Sequence, residues 1–229
     1  MHTPILLLAA SLAGSAQAAD HELSLELGAF GTADDRFDMF DEGNTIGTMG
    51  LRGAFAVHER INIVAGYHTG AWGQDVVTGD GETYYYSYDT DEDYIEGGFL
   101  FRSAFRSHQF LLGPKADVRI ADWLYPYATV QGALFTGTVR MDDDPGQDDN
   151  SNQLKGTGFS PGGVAALGID LVPIASRRAV RAGSHLEMGY GLVATGVYKA
   201  KVSGTEQREE IARFGMGGFY LRWGVGVYF

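Results

Sequence analysis

The residues best equipped for chemistry in this chain are ionic side chains set singly among large apolar ones. Glu26 stands between Leu25 and Leu27, Arg52 follows Leu51, Glu187 separates Leu186 from Met188, and Arg222 separates Leu221 from Trp223. Asp170 lies between Ile169 and Leu171, while Lys115, Asp117 and Arg119 alternate with Ala116, Val118 and Ile120. A spacing of two puts charge on one face of a strand and hydrocarbon on the other. Four acids facing four bases is the chemistry of ion pairing. It predicts a nearly neutral, cross-linked interior, because an isolated buried charge costs several kcal/mol.

A second group is the run Asp142, Asp143, Asp144, Asp148 and Asp149, interrupted by Pro145-Gly146-Gln147. Carboxylates at this density suit Ca²⁺ or Mg²⁺. The run lacks the ligand order of an EF-hand, with no Glu at the twelfth position. A loosely held divalent ion is the most it predicts, and the commoner fate of such a charge block is a solvated loop. No other cofactor is expected. Catalysis lacks a base with a placed partner. Of His21, His58, His68, His108 and His185, only His68 lies towards the outer half of a strand, with Thr69 as its nearest hydroxyl. No spacing typical of a nucleophile and its base accompanies it, so the chain is not expected to be an enzyme. The sequence contains no cysteine, which excludes disulfides, thiolate metal sites and Cys nucleophiles.

The elements that must position these groups all read as strands. At the end of the chain Phe219, Leu221, Trp223, Val225, Val227 and Phe229 take every second position. Similar alternation recurs over about residues 22–32, 44–58, 61–72, 109–120, 125–141, 157–172 and 184–202, giving eight segments of the length a tilted strand needs to cross a bilayer. Leu23, Leu25, Leu27 and Ala29 point one way and Ser24, Glu26, Gly28 and Phe30 the other. In the seventh segment Leu186, Met188, Tyr190, Leu192, Tyr198 and Val202 are expected outward, with His185, Glu187, Thr195 and Lys199 inward. The fifth segment does not reveal its faces. Trp72, Trp123, Tyr125, Tyr127 and Trp223 fit interfacial aromatic girdles. The mean hydropathy of −0.11 does not oppose a membrane location, because only alternate residues of a barrel strand meet lipid.

Residues 1–18 read as an export signal, with an apolar core from Ile5 and an Ala16-Gln17-Ala18 cleavage site, leaving a domain over 19–229. Short connections near 58–60, 121–124 and 173–180 alternate with long ones near 33–43, 73–93, 142–155 and 203–212. Short periplasmic turns and long external loops make this pattern. The long loops carry a net −18 while the whole chain carries −12, so the rest is +6. Such an acidic crown disfavours nucleic acid as a partner. Tyr84-Tyr85-Tyr86-Ser87-Tyr88 in the second loop suits adhesion or local packing. Residues 94–107 also alternate. They belong either to the second loop or, paired with Tyr84-Tyr85-Tyr86, to two further crossings. Eight strands are expected and ten are the alternative, since one extra crossing would swap the sides of the loops.

The leader, the eight alternating segments, the acidic loops and the terminal Leu221, Trp223, Val225, Val227 and Phe229 together resemble the small outer-membrane β-barrels of the OmpA membrane-domain and OmpX type. The resemblance implies an all-β, antiparallel, up-and-down transmembrane barrel in the outer membrane of a Gram-negative bacterium. It implies that the terminal residues are read by the barrel-assembly machinery, and that lipopolysaccharide and outer-membrane lipids are partners. The expected role is structural or surface interaction with a plugged lumen, bridged by divalent ions to lipopolysaccharide. A narrow, porin-like pore for small solutes is the alternative, and a lipid-modifying enzyme comes third. The oligomeric state stays open.

Overall fold

The computed structural model describes residues 21–39, 44–79, 82–84, 99–142, 153–172, 180–201 and 208–229. Residues 1–18, read above as an export signal, and the aspartates 143, 144, 148 and 149 therefore lie outside the described residues, as do Tyr85 to Tyr88. Alternating side chains build β1 (Glu22–Thr32), β2 (Thr45–His58), β3 (Ile61–Gly79), β4 (Glu82–Tyr84), β5 (Phe99–Asp117), β6 (Leu124–Asp142), β7 (Gln153–Leu171), β8 (Arg181–Val193), β9 (Thr195–Lys201), β10 (Arg208–Gly215) and β11 (Gly218–Tyr228).

These strands close into one antiparallel barrel. β1 pairs on one side with β2, Leu25 facing Leu51, and on the other with β11, Leu25 facing Val225. β11 continues to β8 and β8 to β7, so the circuit β1-β2-β3-β5-β6-β7-β8-β11 has no free edge. A closed wall satisfies its own backbone groups, which is what hydrocarbon demands. β8 with β9, and β10 with β11, each form one long stave with a short interruption, so the barrel has eight staves. Just before β1 and just after β11, His21 and Phe229 clasp each other through their backbones, with both N–H···O distances 2.9 Å.

Residues 94–98 lie outside the described residues, and residues 99–107 do not add a crossing. From Phe99 onward they continue upward as the first half of β5, which pairs with β3 from Thr78↔Phe99 down to Ile61↔Ala116. The alternation is real, but it lengthens an existing stave, which preserves the parity of crossings. β3, β5, β6 and β7 each run 19 residues. At about 3.3 Å per residue and a tilt near 40°, such a stave rises about 48 Å. The lipid-facing band of such barrels is about 25 Å tall, so roughly half the wall stands clear of it.

Two sequence expectations about facing change. Tyr198 is 1% exposed and points inward, whereas Thr195 and Lys199 face out. The reason is the interruption at Ala194, whose N–H donates to the Pro161 carbonyl at 2.9 Å. A one-residue slip reverses every later side chain. Val202 lies outside the described residues. Tyr127 is 4% exposed and lies inside rather than in a girdle. It belongs to β6, whose inward row is Tyr127, Thr129, Gln131, Ala133, Phe135 and Val139. That row turns apolar towards the loop end just as the outward row turns polar at Thr136, Thr138 and Arg140. The contrast between faces cancels, and alternation alone could not separate them.

Candidate functional site

The lower half of the lumen, nearer the short turns and the chain ends, is ionic. Arg52 is its hub at 3% exposure. Its Nη1 lies 3.0 Å from Tyr127 Oη, 3.2 Å from Glu187 Oε2 and 3.4 Å from Glu26 Oε1. Its Nε is 3.8 Å from Glu22 Oε1. Lys115 donates to Asp170 and lies 3.4 Å from Glu22 Oε2. Arg222 donates to Gln109 Oε1 at 3.1 Å and sits 3.6 Å from Glu187 Oε1. Tyr127 and Tyr220 donate to the two oxygens of Glu187 at 3.1 and 3.0 Å. Both rings also carry cations on their faces: the Lys115 ammonium 4.3 Å from the Tyr127 centroid and the Arg222 guanidinium 4.1 Å from that of Tyr220.

The charges in this cluster nearly cancel. Glu22, Glu26, Asp170 and Glu187 face Arg52, Lys115 and Arg222, an excess of one negative charge. His185 lies against two of these carboxylates. Its Nε2 is 2.6 Å from Glu26 Oε1 and its Nδ1 is 3.1 Å from Glu22 Oε1. Only the Nε2 contact is a hydrogen bond, and Nδ1 lies beside Glu22 without one. His68 bonds Glu26 through Nε2, while its Nδ1 has no hydrogen-bond partner.

Of the ionic residues expected inside, Glu26, Arg52, Lys115, Asp170, Glu187 and Arg222 meet in this cluster. Asp117 and Arg119 do not. β5 ends at Asp117, which is half-buried, and Arg119 lies beyond the wall, paired with Asp122 in the turn. Sequence reasoning missed Glu22, although it shares the parity of Ser24 and Glu26. It missed Tyr220 as well, which shares that of Arg222. Thr69 donates to the Ser107 carbonyl, not to His68, so the His68–Thr69 pair forms no nucleophile and base.

Towards the long loops the filling becomes aromatic. Phe30, Ile46, Phe105, Phe135, Val139, Tyr198, Phe214 and Met216 form a buried cluster. Phe37, from a short 3-10 helix over Asp35–Met39, drops into it edge-on to Phe105 and Phe214, with centroids 5.6 and 5.5 Å away. The helix sits there because β1 stops pairing with the last stave at Thr32↔Gly218. Above that point Asp34 accepts from the Gly215 N–H at 2.6 Å, and Thr32 Oγ1 donates to the Gly215 carbonyl at 2.9 Å. Asp34 also holds the Arg36 guanidinium at 2.7 Å, which keeps its carboxyl below the usual aspartate range.

The outside carries the opposite chemistry. Leu25 is 63% exposed, Leu167 66%, Leu192 75% and Phe219 71%, while Glu26 and Lys115 within are 2% and 1% exposed. A wall with hydrocarbon outside and charge inside is stable only where the solvent is lipid. This chain is an integral membrane β-barrel of eight staves. Leu221, Trp223, Val225 and Val227 face outward on the seam strand β11, and Phe229 just beyond it is also exposed, with Trp223 50% and Phe229 51% exposed.

No protein-family model and no curated protein matches the chain. Solved structures with similar overall form include the attachment invasion locus protein Ail of Yersinia pestis, in complex with the heparin analogue sucrose octasulfate (11% identity, TM-score 0.42, 93% of this chain and 98% of that one). Others are a major outer membrane protein of Thermus thermophilus (14%, 0.47, 91% and 98%) and Acinetobacter baumannii CarO2 (12%, 0.35, 93% and 100%). The barrel assignment itself rests on the closed register and the inverted polarity of the wall.

Proposed function

We propose that this protein is a structural, surface-facing barrel of the bacterial outer membrane, sealed along its axis and acting through its exterior and loops. What supports this reading is the packing of side chains inside the barrel. An ionic cluster below and an aromatic cluster above occupy the section between them. The cavity bordered by Glu26, Arg52, His68, Gln131, Glu187 and Arg222 has room for about one water molecule. An eight-stranded barrel is just wide enough for side chains to fill it. The acidic loops, including Asp142, Asp143, Asp144, Asp148 and Asp149, would face the cell exterior and could gather Ca²⁺ or Mg²⁺ between the barrel and neighbouring lipopolysaccharide. Insertion by the barrel-assembly machinery through the terminal strand belongs to the same reading.

Planar-bilayer recording tests the seal. The unaltered protein should show no stable open state. Sustained, voltage-independent conductance would overturn the sealed lumen in favour of a narrow pore.

A further inference from the structure

In the lower lumen one ligand atom from each of Glu22, Asp170 and His185 lies within 4.8 Å of the other two. The three side chains come from separate strands, β1, β7 and β8, and Asp170 and His185 are direct cross-strand partners. Their exposures are 2%, 4% and 1%. Two carboxylates and an imidazole are a donor set for a divalent transition ion of the zinc class. Calcium and magnesium prefer more oxygen ligands than these three side chains offer.

Two unpartnered atoms point to a ligand here. Asp170 accepts from the Lys115 ammonium through Oδ2, but its Oδ1 has no hydrogen-bond partner. His185 Nδ1 has none either, although it lies 3.1 Å from Glu22 Oε1. Enclosed polar atoms without partners cost free energy. Glu26 fixes how the imidazole is turned. Its Oε1 lies 2.6 Å from His185 Nε2, and a carboxylate accepts the proton that this nitrogen donates. In the neutral ring Nδ1 is then a lone pair set against a carboxylate oxygen, two acceptors with no proton between them. A cation bound to Nδ1, Glu22 and Asp170 satisfies all three. A carboxylate behind the far nitrogen is also the usual support of a metal-bound imidazole.

The surrounding contacts orient the two carboxylates. Ser24 Oγ donates to Glu22 Oε1 at 2.9 Å, and Lys115 Nζ lies 3.4 Å from Glu22 Oε2. Arg52 Nε stands 3.8 Å from Glu22 Oε1 and makes no hydrogen bond. Four acids against three Lys and Arg side chains leave the cluster one negative charge in excess, which attracts a cation and repels an anion.

We propose that Glu22, Asp170 and His185 bind one divalent transition-metal ion, with Zn²⁺ the best match. The ion ties β1 to β7 and β8 across the seam strand β11, with water completing its coordination. This site is inside the barrel and independent of the loop aspartates.

The test refolds the whole barrel from urea into neutral phosphatidylcholine vesicles with a slight excess of Zn²⁺, followed by a wash with excess Ca²⁺ and elemental analysis. The unaltered protein should retain about one zinc per barrel. His185→Gln should abolish retention. Asp170→Asn, which keeps the shape of the side chain, should weaken binding at least about tenfold, the scale set by loss of even a supporting hydrogen bond. The D142N/D143N/D144N/D148N/D149N variant should retain zinc unchanged. Co²⁺ in place of Zn²⁺ should give the unaltered protein the intense visible absorption of a four-coordinate site, a readout that holds even where a variant fails to fold. No retained zinc in the folded unaltered barrel, equal retention in the Asp170 variant, loss of zinc in the loop variant, or the faint spectrum of six-coordinate cobalt would each overturn the proposal.

Discussion

Removing Arg52 puts the greatest strain on the lumen. Its guanidinium touches Glu26, Glu187 and Tyr127 within 3.4 Å and lies 3.8 Å from Glu22. The Arg52→Ala variant leaves the buried Glu22, Glu26 and Glu187 with Lys115 and Arg222 as the remaining Lys and Arg contacts. Breaking a buried pair by deleting one partner costs about 3–5 kcal/mol, against total stabilities of about 5–15 kcal/mol. The control is Arg119→Ala, which removes a partly exposed pair with Asp122 and should cost less than about 1 kcal/mol. Urea titration in neutral-lipid vesicles, followed by the fluorescence of the outward-facing Trp123 and Trp223, measures both. Adding Glu187→Gln to Arg52→Ala should recover part of the loss, since it removes one of the stranded charges. Equal effects of the Arg52 and Arg119 variants, or no recovery in the double variant, would refute a charge-balanced core.

Three further outcomes follow from the same geometry. Phe37→Ala should cost about 3–5 kcal/mol as a large-to-small change in the upper cluster, and should raise protease cutting within residues 33–44. Asp34→Asn should loosen the same segment at neutral pH. The Asp34 carboxyl is held below its ordinary value of 3.8, so its contribution is present above that value and fades as pH falls through the lower folded value. The difference between variant and unaltered protein in protease resistance should therefore disappear only in strong acid, and a difference that persists there would count against the Arg36 and Gly215 contacts. Gly224 lies where an added Cβ would sit 2.3 Å from His185 Cε1 and 2.5 Å from its Nε2. Gly224→Ala should displace the ring from Glu26 and cost about 1–3 kcal/mol in the urea titration, whereas Gly132→Ala, with its nearest neighbour 3.7 Å away, should be nearly silent.

Much of the wall was legible in the order of residues alone. A period of two sorts each stave into a lipid face and a lumen face, because successive side chains on a strand point opposite ways. That sorting placed Leu23, Leu25 and Leu27 against Ser24 and Glu26 without any contact being known. It failed where local geometry breaks the period, at Ala194, and where both faces change character with height, along β6. It also took the start of β5 for a separate segment, because nothing in a strand's own residues shows where the membrane ends.

What alternation could not supply is the stagger of one stave against the next. Glu26 and His185 are 159 residues apart, and Arg52 and Glu187 are 135 apart. Their meeting depends on the register accumulated around the whole barrel, and a shift of two residues in a single pair would preserve every face while changing every ionic partner. The sequence alone thus determined which side chains are enclosed and which meet lipid. Only the closed tertiary structure decided which enclosed charges neutralise one another.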